Sequence, residues 1–381
     1  MKLCGNYDSP SPFSRAVMAF GDMVSFLLVP RRPSPRIPLA PERVQNLLLL
    51  RLDGIGDNIC SWPALELLRR HLPNTEITLA VGPWATPLYR ECPWIDELIE
   101  WDSGLFGLFR GKGLSNMAVD LQLTKELRKR GFDAGIDMRG DLLSILLLHR
   151  IGTPTRTAET SRGGSRLLSD PVRLRSTAEV QRTFEIACTA VGLSAEPAPR
   201  VRDWLRPQAR ALAARRLSEI GWDSAKPSAA LCPMALWPWK QWPKEHFREL
   251  ALRLKKELGF QIIWFLERKE QVTDLASEDP VFCGPLDEVA AALGMCRIAV
   301  CSDSGLLHLA VAAGCHTVQL FGPGNAERFA HTGENLAVHH DRTCTRYPCV
   351  QKGTCANLAS GWCMDKISVT DVFNSCSEFM P

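Results

Sequence analysis

The sequence predicts an α/β protein in which one chain forms two doubly wound parallel sheets. Apolar runs of strand length, such as Gln45 to Leu52 (QNLLLLRL) and Gln261 to Leu266 (QIIWFL), alternate with longer stretches of helical periodicity. The alternation is broken once, by Ser194 to Arg200 (SAEPAPR), whose prolines and small residues mark a linker. A length of 381 residues is enough for two domains at roughly 100–200 residues each.

The elements follow in order. Gln45 to Leu52 is a continuous apolar run, as expected of a strand buried on both faces. The turn DGIGD leads to a helix over Asn58 to His71, and Glu76 to Val81 (EITLAV) is the next strand. Ile95 to Trp101 is a further short strand, Leu121 to Gly131 a basic helix, Asp133 to Met138 a strand and Leu142 to His149 a helix. Ser161 to Leu174 opens polar and basic (SRGGSR) and reads as a surface loop, followed by a helix over Glu179 to Val191. Beyond the linker come a helix over Pro207 to Ile220 and a second series of strands at Ser228 to Cys232, Gln261 to Leu266, Ile298 to Cys301 and Thr317 to Phe321. The helices between them are Trp242 to Leu258, Leu286 to Met295 and Gly305 to Ala313. Ligands of such sheets bind at the carboxyl ends of the strands, so two such edges are expected to face each other across a cleft.

A hydrophobic content of 45% gives material for a large core, so the chain needs no staples for reasons of size. A net charge of +3 does not support a nucleic-acid partner. The 14 cysteines are not spaced as a secreted disulfide framework. Cys60, Cys188, Cys232, Cys296, Cys301 and Cys315 lie in apolar stretches, as buried thiols do in a cytoplasmic protein. Residues 1–45 stand apart. Arg15 to Pro30 is apolar but interrupted by Asp22 and too short to span a bilayer, and Arg31, Arg32 and Arg36 follow it. Both a docking helix and an interfacial segment that meets anionic lipid at the inner membrane fit that pattern.

Four motifs carry candidate chemistry. In RIAVCSDSGLLHLAVAAG (Arg297 to Gly314), a buried strand ends in a tight turn, Asp303-Ser304-Gly305, that opens straight into a helix. The N–H groups of Ser304, Gly305 and Leu306 at that helix start suit an anion, with His308 one turn further on. An ordinary N-cap made by Asp303 or Ser304 is the plainer reading of the same residues. In RLDGIGDNICSWPAL, Gly54 and Gly56 match a dinucleotide fingerprint, but Ile59 stands at the third glycine, which counts against a dehydrogenase. Asp57 of that turn is a candidate general base or a helix cap. In CPMALWPWKQWPKEHF, Lys240 is a candidate point charge for a phosphate or a solvated lysine packed on tryptophan, and Glu267 ends the next strand where acids hold ribose hydroxyls. The fourth motif is the late cluster Cys344, Cys349, Cys355 and Cys363. It lacks the paired C-x2-C spacing of common zinc sites and is read as structural, whether the four thiols hold a structural metal, pack or oxidise in pairs.

Taken together and in this order, the motifs resemble the lipopolysaccharide heptosyltransferases of glycosyltransferase family nine. The matching residues are Arg51, Gly56, Asp57 and Pro63; Lys240, Trp242, Pro243, Glu245 and Phe247; Asp303 to Ala310; and Phe321 to Pro323. The resemblance covers residues 45 to 375. It implies a GT-B fold of two facing Rossmann-like domains. An acceptor domain would span 46–200 and a nucleotide-sugar domain 201–340, with a cysteine-rich tail and C-terminal helix over 341–381. It implies an inverting enzyme that needs no metal or other cofactor and moves a sugar, heptose from ADP-heptose, to a glycolipid or glycan acceptor. Asp57 matches the family's base and Lys240 its phosphate-contacting lysine. Glu267 matches the ribose acid, and Ser304, Gly305 and Leu306 the backbone that holds the diphosphate. Arg51 and Arg139 are candidate acceptor contacts. The chain departs from the pattern in residues 1–45, in Asp53-Gly54-Ile55 and in Gly324-Asn325. A nucleotide-sugar epimerase of the same fold and a non-catalytic sugar-nucleotide-binding protein are the alternatives, and product analysis with donor alone separates the epimerase from a transferase.

Overall fold

The computed structural model describes residues 37–103, 117–202, 207–267, 279–339 and 363–380, with Ala19, Tyr347 and Cys349. The rest of residues 1–36, with Cys344 and Cys355, lies outside the described residues. The chain divides into two compact units, one ending at Pro199 and the other beginning at Arg200.

The first unit holds strands β1 (Asn46–Arg51), β2 (Glu76–Val81), β3 (Glu97–Glu100), β4 (Ala134–Asp137), β5 (Thr155–Glu159) and β6 (Asp170–Val172). Its helices are α1 (Ile55–Cys60), α2 (Trp62–His71), α3 (Met117–Lys129), α4 (Leu142–Ile151) and α5 (Glu179–Ala190). The strand order is β3-β2-β1-β4-β5-β6 and every pairing is parallel. Leu47 to Leu50 of β1 are fully buried, as a central parallel strand requires. Residues 37–45, assigned from sequence to the N-terminal extension, in fact begin this unit. Leu39 and Val44 are buried, and the Leu39 N–H donates to the Ala190 carbonyl.

The second unit holds β7 (Ser228–Cys232), β8 (Gln261–Phe265), β9 (Val281–Phe282), β10 (Ile298–Ser302), β11 (His316–Phe321) and β12 (Asn335–His339). Between and after them lie α6 (Pro207–Glu219), α7 (Lys244–Leu258), α8 (Leu286–Leu293), α9 (Gly305–Ala312), α10 (Ala326–Phe329) and α11 (Val369–Ser377). This sheet, also parallel, runs β12-β11-β10-β7-β8-β9, which is the order of the first read from its other edge. The expected pair of parallel-sheet Rossmann-like units is therefore present. Each has a topological switch point, between β1 and β4 in the first unit and between β7 and β10 in the second, where loops diverge and leave room for a ligand.

Three local expectations are corrected. The helix read over Asn58 to His71 is two helices. Pro63 has no N–H to give back to Ile59, so the chain breaks at Ser61, whose hydroxyl donates to the Asn58 carbonyl. The first of them starts at Ile55, which puts Asp57 inside a helix and not in a turn. The loop read over Ser161 to Leu174 contains β6, and β5 just before it was missed. Its sequence TRTAE carries a charge into the core because Glu159 meets Arg182 there.

The second unit's core is aromatic. Phe247 lies edge-on to Trp242, with ring centroids 4.9 Å apart, and to Trp264 at 6.3 Å. Met364, Val372, Phe373 and Cys376 close the same cluster, so the C-terminal helix is part of this core. Phe247 thus serves packing and not chemistry. Phe247→Ala is expected to cost about 3–5 kcal/mol of stability by opening a cavity between the Trp242 and Trp264 rings, read as a lowered urea midpoint.

Candidate active site

In the second unit, two loops meet at the switch point. The first follows β7 and carries Lys240, whose N–H is bonded to the Trp237 carbonyl. It is tied down by the Gln241 side chain on the Ala235 carbonyl and by the Trp242 indole N–H on the Ile367 carbonyl. The second follows β10 and is the Asp303-Ser304-Gly305 turn. Lys240 Nζ lies 2.7 Å from Asp303 Oδ2, in a largely buried ion pair. Lys240 is thus neither a solvated lysine nor an isolated point charge: it is held against the turn by a counter-ion.

The turn is not an ordinary cap. Ser304 occupies the N-cap of α9 in extended backbone, yet its hydroxyl caps nothing, and its buried Oγ has no hydrogen-bond partner. The Leu307 N–H folds back onto the Ser304 carbonyl. Among the described residues, the N–H groups of Gly305 and Leu306 meet no acceptor. A helix start with an orphaned hydroxyl, unclaimed N–H groups and an adjacent ammonium is built to receive an anion. The loop after β11 lies against the turn: a Cβ at Gly324 would run into the Asp303 carboxylate. A glycine leaves room for this close approach. Asn325 then caps α10 by accepting from the Arg328 N–H.

His308, expected beside the anion, sits on α9 with its Nδ1 2.8 Å from His331 Nε2 and its ring edge-on to Phe329. Burial and the neighbouring His308 pull His331 down to about 3, so His331 is neutral. Glu267 stands two residues beyond β8 with its side chain exposed. Of the late cysteines, Cys349 and Cys363 are half-buried, and the Cys349 N–H donates to the Pro323 carbonyl.

In the first unit, Asp57 is the third residue of α1. Its Oδ2 accepts the Gly54 N–H at 3.2 Å, which is the capping role. Among the described residues its Oδ1 takes no hydrogen bond, and the side chain is half-buried, so the cap leaves one carboxylate oxygen available for a proton. Arg51, expected as an acceptor contact, is redirected by its geometry. It is fully buried, and it makes four hydrogen bonds and a further ion pair. Nε and Nη2 reach the Asp57 carbonyl at 3.1 and 2.6 Å. Nη1 reaches the Met138 carbonyl at 2.7 Å and Asp53 at 3.2 Å, and Nη2 also reaches Glu179 at 2.8 Å. Arg51 therefore holds the backbone of Asp57 in place. Arg139 lies after β4, at the same switch point, and pairs with Asp141, which also caps α4 through the Leu143 and Ser144 N–H groups.

Sequence reasoning missed the acids around Arg51. Glu179 bridges Arg51 to Arg182, which in turn pairs with Glu159. Their only signal was charged residues in segments that otherwise read as core. Burial pushes Asp53 up to about 7 against the pull of Arg51, and its buried Oδ1 has no partner. Burial, with Asp141 adding to it, also pushes Asp137 up to about 7, although its carboxylate accepts from the Arg139 and Gly140 N–H groups and the Ser144 hydroxyl.

A family model for glycosyltransferase family 9 (heptosyltransferase) matches residues 121–359, more than half of the chain. The chain belongs to glycosyltransferase family 9. This family-9 glycosyltransferase is 25% identical over 345 residues to lipopolysaccharide heptosyltransferase 2 of Escherichia coli, covering 85% of this chain and 95% of that one. It is 25% identical over 326 residues to lipopolysaccharide heptosyltransferase 1 of Pseudomonas aeruginosa, covering 81% and 87%. Among solved structures, a family 9 glycosyl transferase from Veillonella parvula superposes with a TM-score of 0.74 at 19% identity, covering 91% of this chain and 99% of that one. The E. coli ADP-heptose heptosyltransferase II structure gives 0.67 at 21%, covering 88% and 98%. These likenesses show the GT-B fold, and the enzyme is a glycosyltransferase and not a dehydrogenase.

Two outcomes test this geometry. Arg51→Met leaves Glu179 and Asp53 without their shared cation and is expected to cost about 3–5 kcal/mol, measured by urea unfolding. Asp53 and Asp137 both hold their protons more tightly folded than unfolded, so stability falls as pH rises from their ordinary value near 3.8 to about 7. The urea midpoint is expected to be lower at pH 7.5 than at pH 5, and Asp137→Asn flattens that slope.

Proposed function

We propose that this protein moves a heptosyl group from ADP-heptose to a lipopolysaccharide-core or related cell-surface glycan, by inversion and without a metal. The observation that carries the reading is the uncapped start of α9: the orphaned Ser304 hydroxyl, the Gly305 and Leu306 N–H groups and the Lys240–Asp303 pair converge on one place. A diphosphate supplies the acceptors that this place lacks. The names of the relatives supply the sugar and the acceptor class, and the absence of any Asp-x-Asp motif agrees with a diphosphate held by N–H groups and lysine.

In this reading, residues 46–200 bind the acceptor and 201–340 the donor. Asp57 removes the proton from an acceptor hydroxyl as its oxygen bonds to the anomeric carbon. The bond from that carbon to the diphosphate breaks, and ADP leaves with the electron pair. General-base help of this kind is worth about 10²–10⁴-fold. Lys240 and the α9 N–H groups stabilise the charge growing on the leaving oxygen, and Glu267 holds the ribose. Ser304, Gly305, Leu306 and His308 complete the donor site, and Arg139 meets the acceptor. A glycolipid acceptor would bring the enzyme to the inner membrane as a peripheral visitor from the cytoplasm. Among the described residues, no helix is long and apolar enough to cross a membrane.

One paired experiment checks the division of labour. Asp57→Asn should retain ADP affinity by calorimetry while transfer falls by about 10²-fold or more. Lys240→Ala should weaken ADP binding. Near-normal turnover in the first variant, or unchanged affinity in the second, removes that residue from its role.

A further inference from the structure

On the first unit, at the sheet edge opposite Asp57 and Arg139, lies a second concave site. Its walls are the end of α3, the end of α4 and the start of β5, and its volume is about 530 Å³. Lys125, Arg128, Arg150 and Arg156 line it with His149, and no carboxylate does. Lys125, Arg128 and Arg150 are exposed, and among the described residues none of them forms an ion pair. Arg156 is different: its Nε donates to the Leu167 carbonyl at 2.7 Å and its Nη1 to the Thr153 carbonyl, which fixes the guanidinium in place. His149, half-buried, lies beside it.

The plain explanation of such a cluster is the helix dipole, because cations belong at helix C-termini. The charges do not balance on that account. Two helix ends supply roughly −0.5 each, about −1 together, against four cationic side chains. An excess of positive charge stands around a cavity large enough for a small ligand. Three of the cations are guanidinium groups, whose planar forks match phosphate oxygens in pairs.

We propose that this cavity is a binding site for a phosphate-bearing anion, separate from the donor turn. The phosphate can belong to an anionic lipid headgroup or to a free phosphate compound. Arg156 supplies the fixed part of the site, and Lys125, Arg128 and Arg150 the adjustable part. The proposal does not rest on the identity of the donor or acceptor, because none of these residues belongs to the transfer site.

The test compares the full chain with a Lys125→Ala/Arg128→Ala/Arg150→Ala variant. Its control, Arg215→Ala/Lys226→Ala/Lys256→Ala, removes three exposed cations elsewhere. Thermal melts followed by circular dichroism establish that both fold. Pyrophosphate binding is measured by calorimetry at low salt, and binding to phosphatidylglycerol and to phosphatidylcholine vesicles by co-sedimentation. A loss of about tenfold or more in pyrophosphate affinity, confined to the first variant, supports the site with a soluble ligand. A similar loss confined to phosphatidylglycerol vesicles supports it with a lipid headgroup. The proposal is overturned if the first variant matches the wild type in both assays, or if the control loses as much.

Discussion

The guanidinium of Arg51 governs the active edge of the first unit. It leaves the end of β1 and turns into the protein, where it takes up the Asp57 and Met138 carbonyls and two acids. Those contacts tie β1 to α1, to the end of β4 and to α5. A buried cation of this kind offsets its desolvation only when it is well paired, and here four hydrogen bonds and two ion pairs hold it. The acids continue the pattern, because Glu179 hands on to Arg182 and Arg182 to Glu159. A continuous set of ion pairs thus runs beneath the loops that follow β1, β4 and β5, and the position of Asp57 rests on it.

The two units share one strand order and use it differently. In each, the loops after the first and fourth strands meet at the switch point. In the first unit that place is occupied by paired carboxylates and arginines, with one oxygen of Asp57 and one of Asp53 to spare. In the second it holds unclaimed hydrogen-bond donors at the start of α9. One arrangement suits proton transfer and the other suits an anion, which is the division of roles a glycosyl transfer requires.

Much of this was legible in the sequence, for reasons that can be named. Central parallel strands such as β2 and β7 are apolar runs bounded by turns, so their ends could be read to the residue. Four strands were missed; two of them, β9 and β12, lie at the edges of the second sheet, and the other two, β5 and β6, carry Arg156, Glu159 and Asp170, whose burial depends on partners distant in the chain. Asp57 and Lys240 were visible as polar residues directly after strands. The structure added their company. No local pattern shows that Lys240 meets Asp303, 63 positions on, or that the Arg51 side chain turns inward. Gly324 is the same kind of case. It looked like a departure from the family, and is a consequence of the close approach of Asp303.

The Lys240–Asp303 pair also changes what the start of α9 can attract. With its ammonium already neutralised, the site presents little net charge, and a stray phosphate gains only the pull of one helix end. A ligand large enough to engage the Ser304 hydroxyl and the N–H groups at once can compete with Asp303 for the lysine. In the proposed reading, the internal counter-ion therefore acts as a threshold that favours a complete nucleoside diphosphate over small anions.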